Sequence, residues 1–224
     1  EAPDYDFKMR MIIGDVLEAV VIALLKGAGV KVKNKHKKVS LEVNDSEIQG
    51  EYDIELDDGI YDIKTASPYA FETKFNADDA FEKIHNADSF GYVTQGYGYG
   101  LASDKPFKGW IAVNKSTGQI AVAEAPSNNK YKENAKNEIQ NVHKAISDGR
   151  PFKRCFTDTE EFYYKKSTGN RTLGIECSYC AFKSKCWDKL EFRRQLPSKG
   201  RNPRFVWYTH ITKEWRDTIN KEEG

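Results

Sequence analysis

Residues 50–65, GEYDIELDDGIYDIKT, decide the fold of this chain. They predict two short strands joined at Asp58–Gly59, a dipeptide that accepts the positive φ values of a tight hairpin turn. Apolar and acidic residues alternate along the first strand, and Asp62 and Lys64 share one face of the second.

A two-residue loop would place Glu55 opposite Asp62 and Asp53 opposite Lys64, because directly opposed residues lie on the same side of an antiparallel pair. One face of the hairpin would then carry three carboxylates and one ammonium group. Such a group of acids is repulsive unless a cation sits among them, and hard oxygen ligands of this kind favour Mg²⁺ or Mn²⁺. The alternation alone is equally compatible with an edge hairpin whose polar face is solvated.

The composition limits the classes of function. The chain has 224 residues, enough for one sizeable domain with an appendage, and 35 Lys and Arg against 34 Asp and Glu give a net charge of +1. A surface that binds nucleic acid must therefore be local. The sequence shows no apolar run long enough to cross a bilayer and no secretory pattern, so we expect an intracellular, cytoplasmic protein with no membrane partner.

The clearest predicted helix covers residues 7–26, where apolar pairs recur every turn and Gly27 supplies a stop. Gly14 and Glu18 lie one turn apart within it. Glycine costs a helix interior close to 1 kcal/mol relative to alanine, so Gly14 predicts a close approach of another element. An exposed helical glutamate is usually only solvated, and Glu18 could be of that kind.

The segments after the hairpin predict further helices and strands. Gln95 and Tyr99 are four residues apart, which places an amide and a phenol on one face of a helix despite three nearby glycines. Residues 110–113 and 119–122 predict two strands, and residues 131–148 predict an amphipathic helix.

Four cysteines lie in the last third of the chain. Cys177, Cys180 and Cys186 are clustered and Cys155 stands apart, which favours metal or cluster ligation over two disulfides in a chain of this size. Four thiolates can bind Zn²⁺ or a 4Fe–4S cluster, and the spacing does not separate these.

Beyond Arg150, aromatic and basic residues are interleaved, a mixture typical of surfaces that bind single-stranded nucleic acid and also of small cysteine-rich lobes. The first group is Phe152, Lys153, Arg154, Phe156, Tyr163, Tyr164, Lys165, Lys166 and Arg171. The second group is Lys183, Lys185, Trp187, Arg193, Arg194, Lys199, Arg201 and Arg204.

The order of these motifs resembles that of the PD-(D/E)xK nuclease superfamily, and in particular its RecB-type members. An acid, a short gap and an acid–apolar–Lys triplet occur at Asp53 and Asp62–Ile63–Lys64. The Gly14–Glu18 spacing before the hairpin and the Gln95–Tyr99 spacing after it are similar to two further motifs of that group, whose members often have His where Glu18 stands. The resemblance implies an α/β, restriction-endonuclease-like fold with a mixed central sheet flanked by helices.

The same resemblance implies roles for the site residues. Asp53 and Asp62, with Glu18, would hold Mg²⁺ or Mn²⁺, and the carbonyl of Ile63 would be a further ligand. Lys64 would be the catalytic cation. Gln95 and Tyr99 would position the DNA strand. Glu55 is the reserve acid.

The cysteine triplet after the core resembles the iron–sulfur RecB-type group, which includes AddB and the CRISPR adaptation nucleases. Relatives commonly carry the fourth cysteine before the core, but no cysteine precedes the hairpin here, so Cys155 is the fourth ligand available. The resemblance favours 4Fe–4S over zinc. It implies a nuclease core at residues 1–150 and, at residues 151–224, a cysteine-cluster lobe and tail packed on that core.

The implied function is that of a metal-dependent exonuclease acting on DNA ends or single strands in recombination, repair or replication, in the stand-alone form that phages encode. Its partners would be DNA and a possible recombination protein. Two alternatives stay open at this point: a non-catalytic DNA-binding or recombination accessory module, and a structure-specific endonuclease.

Overall fold

The computed structural model describes residues 5–151, 153–196, 198, 201 and 203–223, so Phe152 and Lys199 of the interleaved groups lie outside the described residues. The chain divides into two compact units, Glu1–Gly149 and Arg150–Gly224. None of the described helices combines the length and apolar character that crossing a membrane requires.

The first unit alternates helices with a five-stranded sheet. Its helices are α1 (Tyr5–Gly27), α2 (Pro68–Ala70), which continues as a π-helical turn at Phe71–Phe75, α3 (Ala80–Asn86), α4 (Tyr92–Ser103) and α5 (Asn129–Ser147). Its strands are β1 (Asn34–Val43), β2 (Ser46–Glu55), β3 (Ile60–Ala66), β4 (Phe107–Asn114) and β5 (Ile120–Glu124). The helices predicted at 7–26 and 131–148 and the strands predicted at 110–113 and 119–122 are confirmed.

The sheet is mixed, with strand order β1-β2-β3-β4-β5. Only β3 and β4 pair in parallel, and the chain between them forms α2, α3 and α4. The other three pairings are antiparallel. The prediction of an α/β protein with a mixed sheet flanked by helices is confirmed at this level.

Helices cover both faces of the sheet. On one face, Val21 and Ile22 of α1 pack with Ile54, Ile63 and neighbouring sheet residues. On the other, a larger core joins the sheet to the π-helical turn, α3, α4 and α5. Much of the remaining apolar surface of α1 is exposed to solvent.

Gly14 contradicts the prediction of a close approach, because a Cβ added there would meet nothing within 4 Å. The close approach lies in α4 instead, where a Cβ added at Gly96 would come within 2.3 Å of the Phe107 ring. This glycine lets α4 lie directly on β4, which explains a glycine-rich segment that is otherwise poor for a helix.

The two helical glycines make a matched test. We expect Gly96→Ala to lower the free energy of unfolding by about 2 kcal/mol, because the methyl group overpacks against a buried ring. We expect Gly14→Ala to raise it by about 0.5 to 1 kcal/mol, because alanine is the better helix former and the space is open. Urea denaturation of both variants measures this, and shifts of the same sign would contradict the packing argument.

The second unit is built on an antiparallel sheet of order β6-β7-β9-β8. Its strands are β6 (Asp158–Tyr163), β7 (Lys166–Leu173), β8 (Glu191–Arg194) and β9 (Phe205–His210), with α6 (Ile175–Ser178) and α7 (Lys183–Cys186) between β7 and β8 and α8 (Lys213–Glu223) at the end. Tyr208 of β9 packs with Ile211 and Ile219, so α8 covers one face of this sheet.

Candidate active site

The hairpin exists, but its predicted register is wrong. The observed pairs are Ile54 with Tyr61 and Glu55 with Ile60, and the loop has four residues, closed by a hydrogen bond from the Leu56 N–H to the Gly59 carbonyl (2.9 Å). A two-residue type I′ loop needs positive φ at both positions, and Asp58 does not adopt it. Glu55 therefore does not oppose Asp62, and Asp53 does not oppose Lys64.

The backbone pairing of β2 with β3 ends at Ile54, and the Asp53 side chain makes the next contact with β3. Its Oδ2 accepts a hydrogen bond from the backbone N–H of Ile63 at 2.6 Å, where a continuing ladder would have supplied a carbonyl. Burial raises the pKa of Asp53, although the Ile63 hydrogen bond and Lys64 act against the rise. The contact fixes this carboxylate against β3, the strand that carries Asp62.

Glu55 belongs to a different group of side chains. It is 5% exposed and accepts hydrogen bonds from Lys105, from Asn34 Nδ2 (2.6 Å) and from Tyr52 Oη (2.9 Å). Burial alone would raise the pKa of Glu55, but these three donors lower it to about 2. A carboxylate so fully satisfied has a structural role, which removes Glu55 as the reserve acid.

Asp62 and Lys64 form the centre of the site on β3. Asp62 is 2% exposed, and its Oδ2 lies 2.7 Å from Lys64 Nζ in a close ion pair. Burial, opposed by Lys64 and reinforced by Asp53, raises the pKa of Asp62 to about 6. Burial alone would lower the pKa of Lys64, but Asp62 outweighs it and the net shift is upward.

Glu18 reaches the same site from α1. Burial and, next, the negative charge of Asp53 raise the pKa of Glu18 to about 7. Asp62 also acts on it, so three carboxyl groups from three elements share one electrostatic environment. Glu18 thus shares the electrostatic environment of the hairpin acids, and its role as a ligand stays a prediction.

His36 is a site residue that the sequence did not indicate. Its Nε2 lies 3.3 Å from Glu18 Oε1 and its Nδ1 lies 3.6 Å from Glu51 Oε1. Its backbone has a φ of +49°, and the strand pairs on either side of it are Lys35 with Ile54 and Lys37 with Tyr52. The local departure from the ladder turns His36 toward α1, and nothing in its lysine-rich surroundings signals this.

The helix α4 supplies the other wall. Gln95 Oε1 accepts a hydrogen bond from Lys64 Nζ (3.2 Å), and Gln95 Nε2 donates to Tyr99 Oη (3.1 Å). The ring of Tyr92, which the sequence also did not indicate, lies 4.8 Å from Lys64 Nζ. The predicted placement of Gln95 and Tyr99 on one helical face is confirmed.

A groove of about 570 Å³ opens beside Gln95 and Tyr99. It lies between the outer strands β1 and β2 and the helices α4 and α5, and its walls are mainly apolar, including Leu41, Ile48 and Val142. Gln95 and Tyr99 thus line both this groove and the side of the site that carries Lys64.

The carboxylates offer the donor chemistry of a hard divalent cation. Glu18 Oε1 and Asp62 Oδ2 are buried, and the groups beside them are His36 and Lys64 respectively. The negative charges of Asp53 and Asp62 raise the pKa of Glu18, and a bound divalent cation would offset that repulsion. The residues fit Mg²⁺ or Mn²⁺ by donor type and charge. Within the described ranges, however, no three His, Cys, Asp or Glu side chains lie close enough together to form a complete ligand set.

The cysteines of the second unit are all free, and the four do not form one cluster. Cys177 is buried and interacts electrostatically with Cys180 and Cys186. Cys155 is exposed. Its neighbour Arg154, however, stacks on the Trp187 ring at 3.7 Å and donates a hydrogen bond to the Cys186 carbonyl. The Arg154 side chain thus links the segment that carries Cys155 to the backbone of Cys186 and to Trp187.

No protein-family model matches the chain, and no curated protein matches it. Among solved structures it is similar to one described as "Crystal structure of SSO0001", at 18% identity, over 81% of this chain and 72% of that one, with a TM-score of 0.46. A likeness this distant assigns no family and no activity.

Glu18 gives a test of the site that needs no activity. Because its folded pKa is about 7 and its ordinary value is 4.5, ionising it costs stability progressively as the pH rises through this interval. In EDTA at pH 8 we expect Glu18→Gln to be more stable than the wild type, by about 1 to 2 kcal/mol after allowance for solvent screening. Near pH 4.5 we expect the difference to vanish.

In Mn²⁺ we expect the wild type to be more stable than Glu18→Gln, because the variant lacks one ligand and the ion therefore stabilises it less. Thermal denaturation with EDTA or Mn²⁺ measures both effects. Glu51→Gln, which changes the other acid beside His36, is the matched control and should show no reversal. A wild type that is already the more stable protein in EDTA at pH 8 would contradict the assignment.

Proposed function

We propose that this chain is a metal-dependent deoxyribonuclease of the RecB-type PD-(D/E)xK group, with a restriction-endonuclease-like core, that hydrolyses phosphodiester bonds at DNA ends or in single strands. The observation that carries the proposal is the Lys64 ammonium group, held between a buried Asp62 carboxylate and the Gln95 amide. Two further acids with raised pKa values, Asp53 and Glu18, interact electrostatically with this pair. A solvated hairpin face would produce none of these features.

Asp53, Asp62 and Glu18 would hold the ion, with the Ile63 carbonyl as a further ligand. When bound, Mg²⁺ or Mn²⁺ lowers the pKa of the attacking water and polarises the scissile phosphate. The hydrogen bond from the Ile63 N–H holds Asp53 in place for this task, and the fixed strand β3 holds Asp62.

Lys64 would stabilise the negative charge that develops on the phosphate, as a preorganised cation in a site largely shielded from water. Gln95 sets the position of the ammonium group and is itself held by Tyr99. The groove beside these two residues gives the strand a path away from the carboxylates. This arrangement orients the phosphate before the reaction, so little reorganisation is needed.

The deciding experiment offers linear and circular DNA, single- and double-stranded, labelled at each end, with Mg²⁺, Mn²⁺ or EDTA. An exonuclease shortens only the linear substrates, and the label that is lost first gives the polarity. Cleavage of the circles would make the chain an endonuclease. Binding without cleavage of any substrate would make it a DNA-binding accessory module and would overturn the proposed enzyme.

We also propose that the cysteines hold a 4Fe–4S cluster or Zn²⁺ in a structural role, supported by the contact of Arg154 with Cys186 and Trp187. We expect protein purified anaerobically to be brown, with about four iron atoms per chain. Cys177→Ser should remove the colour and lower the melting temperature of the second unit. Colourless protein with stoichiometric zinc would show that the cysteines bind zinc and not an iron–sulfur cluster. Protein that contains neither metal would contradict both proposed metal sites.

A further inference from the structure

One face of the sheet in the unit Arg150–Gly224 carries a row of aromatic side chains. The edge strand β8 pairs with β9 so that Phe192 opposes Trp207 and Arg194 opposes Phe205. Paired residues share a face of the sheet, and α8 covers the opposite face. Phe192, Phe205 and Trp207, the aromatic row, therefore lie on the side away from α8.

The Phe192 ring contacts both of the other rings. The Phe192 ring centroid lies 5.5 Å from that of Phe205 and 4.8 Å from that of Trp207, with both ring pairs tilted by 36°. Phe192 is 55% exposed and Phe205 is 56% exposed. Two half-exposed phenylalanines side by side at a sheet edge are unfavourable in water, which indicates a surface that binds something.

The charge around the row identifies the partner. Lys183 Nζ lies 4.9 Å from the Trp207 ring centroid, and Arg194 is exposed on the same face as the rings. In the sequence, residues 183–207 contain eight Lys and Arg against two Asp and Glu, in a chain whose net charge is only +1. Arg193 is one of the eight, but it lies on the opposite face and pairs with Glu191. The local excess of positive charge complements a polyanion and is unfavourable for a purely apolar protein contact.

We propose that the aromatic row binds single-stranded DNA. Unpaired bases stack on Phe192 and Phe205, and Lys183 and Arg194 contact the phosphates, the combination that single-strand binding surfaces use. A base in a duplex is already stacked on its neighbours and cannot use the rings. The choice of DNA over RNA rests on the proposed function, whereas the surface itself does not depend on the carboxylate site.

The test is fluorescence anisotropy of labelled oligo(dT) of about 20 nucleotides, in EDTA so that no cleavage interferes. We expect the double variant Phe192→Ala/Phe205→Ala to bind about thirtyfold or more weakly, the effect of losing two stacked bases. Phe162→Ala removes a phenylalanine of equal exposure, 55%, from the far strand of the same sheet and should leave binding unchanged. Phe192→Tyr/Phe205→Tyr, which keeps both rings, should retain binding, and circular dichroism of the double alanine variant checks that it is folded.

Unchanged binding by the double alanine variant would overturn the proposal, as would an equal loss in Phe162→Ala. Tighter binding of oligo(U) than of oligo(dT), or equal competition by a duplex of the same length, would overturn it as well. A change of oligomeric state with unchanged DNA binding, seen by light scattering, would show that the row contacts a second copy of the chain. Because binding is measured without metal, a negative result would not count against the proposed nuclease activity. Likewise, an absence of nuclease activity would not count against DNA binding by the aromatic row.

Discussion

Asp62→Asn is expected to lower the rate of metal-dependent DNA cleavage by about 10³-fold or more, because it removes the carboxylate around which the site is built. Asp62 is 2% exposed and directly paired with Lys64. Asparagine has nearly the same shape but offers only one neutral oxygen to a cation. The variant should also lose binding of Mn²⁺ in a calorimetric titration.

The fold should survive this change. Burial and Asp53 raise the pKa of Asp62 to about 6, so the metal-free protein holds that charge at a cost that asparagine avoids. Asp57→Asn is the matched control: it changes an acid in the loop of the same hairpin, 69% exposed, and should cleave at the wild-type rate. Wild-type cleavage by Asp62→Asn, with the control equally active, would remove Asp62 from the site.

Lys64→Met is expected to lower the cleavage rate by about 10²- to 10³-fold while leaving metal binding largely intact, since it removes a charge that acts on the phosphate. The structure supports this role because Lys64 Nζ is held on three sides, by Asp62 (2.7 Å), by Gln95 (3.2 Å) and by the Tyr92 ring (4.8 Å). Single-turnover cleavage at saturating Mg²⁺ measures the chemical step, and calorimetry with Mn²⁺ measures the ion separately.

Lys105→Met is the control for this variant. It also breaks a pair between a half-buried lysine and a buried acid, Glu55, but on a residue outside the carboxylate site. We expect it to reduce the free energy of unfolding and to leave the cleavage rate of the folded protein unchanged. Equal losses of cleavage in both variants would mean that Lys64 supports the fold and does not act on the phosphate.

The sequence predicted the participants of the candidate site better than their arrangement. Asp53, Asp62, Lys64 and Glu18 interact electrostatically, and Gln95 and Tyr99 are linked to Lys64 by hydrogen bonds, because the alternation of side chains along strands and the turn of a helix determine which face each residue occupies. The hairpin loop is not the predicted two-residue turn at Asp58–Gly59. Asp58 avoids positive φ, so the loop has four residues and the pairing moves by two along the strand. A shift by two keeps every side chain on its own face, which is why the site still forms.

His36, Tyr92 and Glu55 show what sequence reasoning could not reach. His36 enters the site through a positive φ at one position of β1, and Tyr92 through its place one turn before Gln95. Glu55 is not part of the site because it pairs with Lys105, a residue fifty positions away along the chain. Each outcome depends on a contact between distant segments, and no local pattern records such a contact.

The sequence by itself determined the element types, the hairpin and the residue types that could bind a cation, since these follow from periodicity and the chemistry of single side chains. Only the tertiary structure decided which acids share an environment and which acid is neutralised. It also placed α1 and α4 around the hairpin, with Gly96 allowing the closest approach. Burial depends on what packs on a residue, so the raised pKa values of Glu18 and Asp62 are properties of the assembled fold.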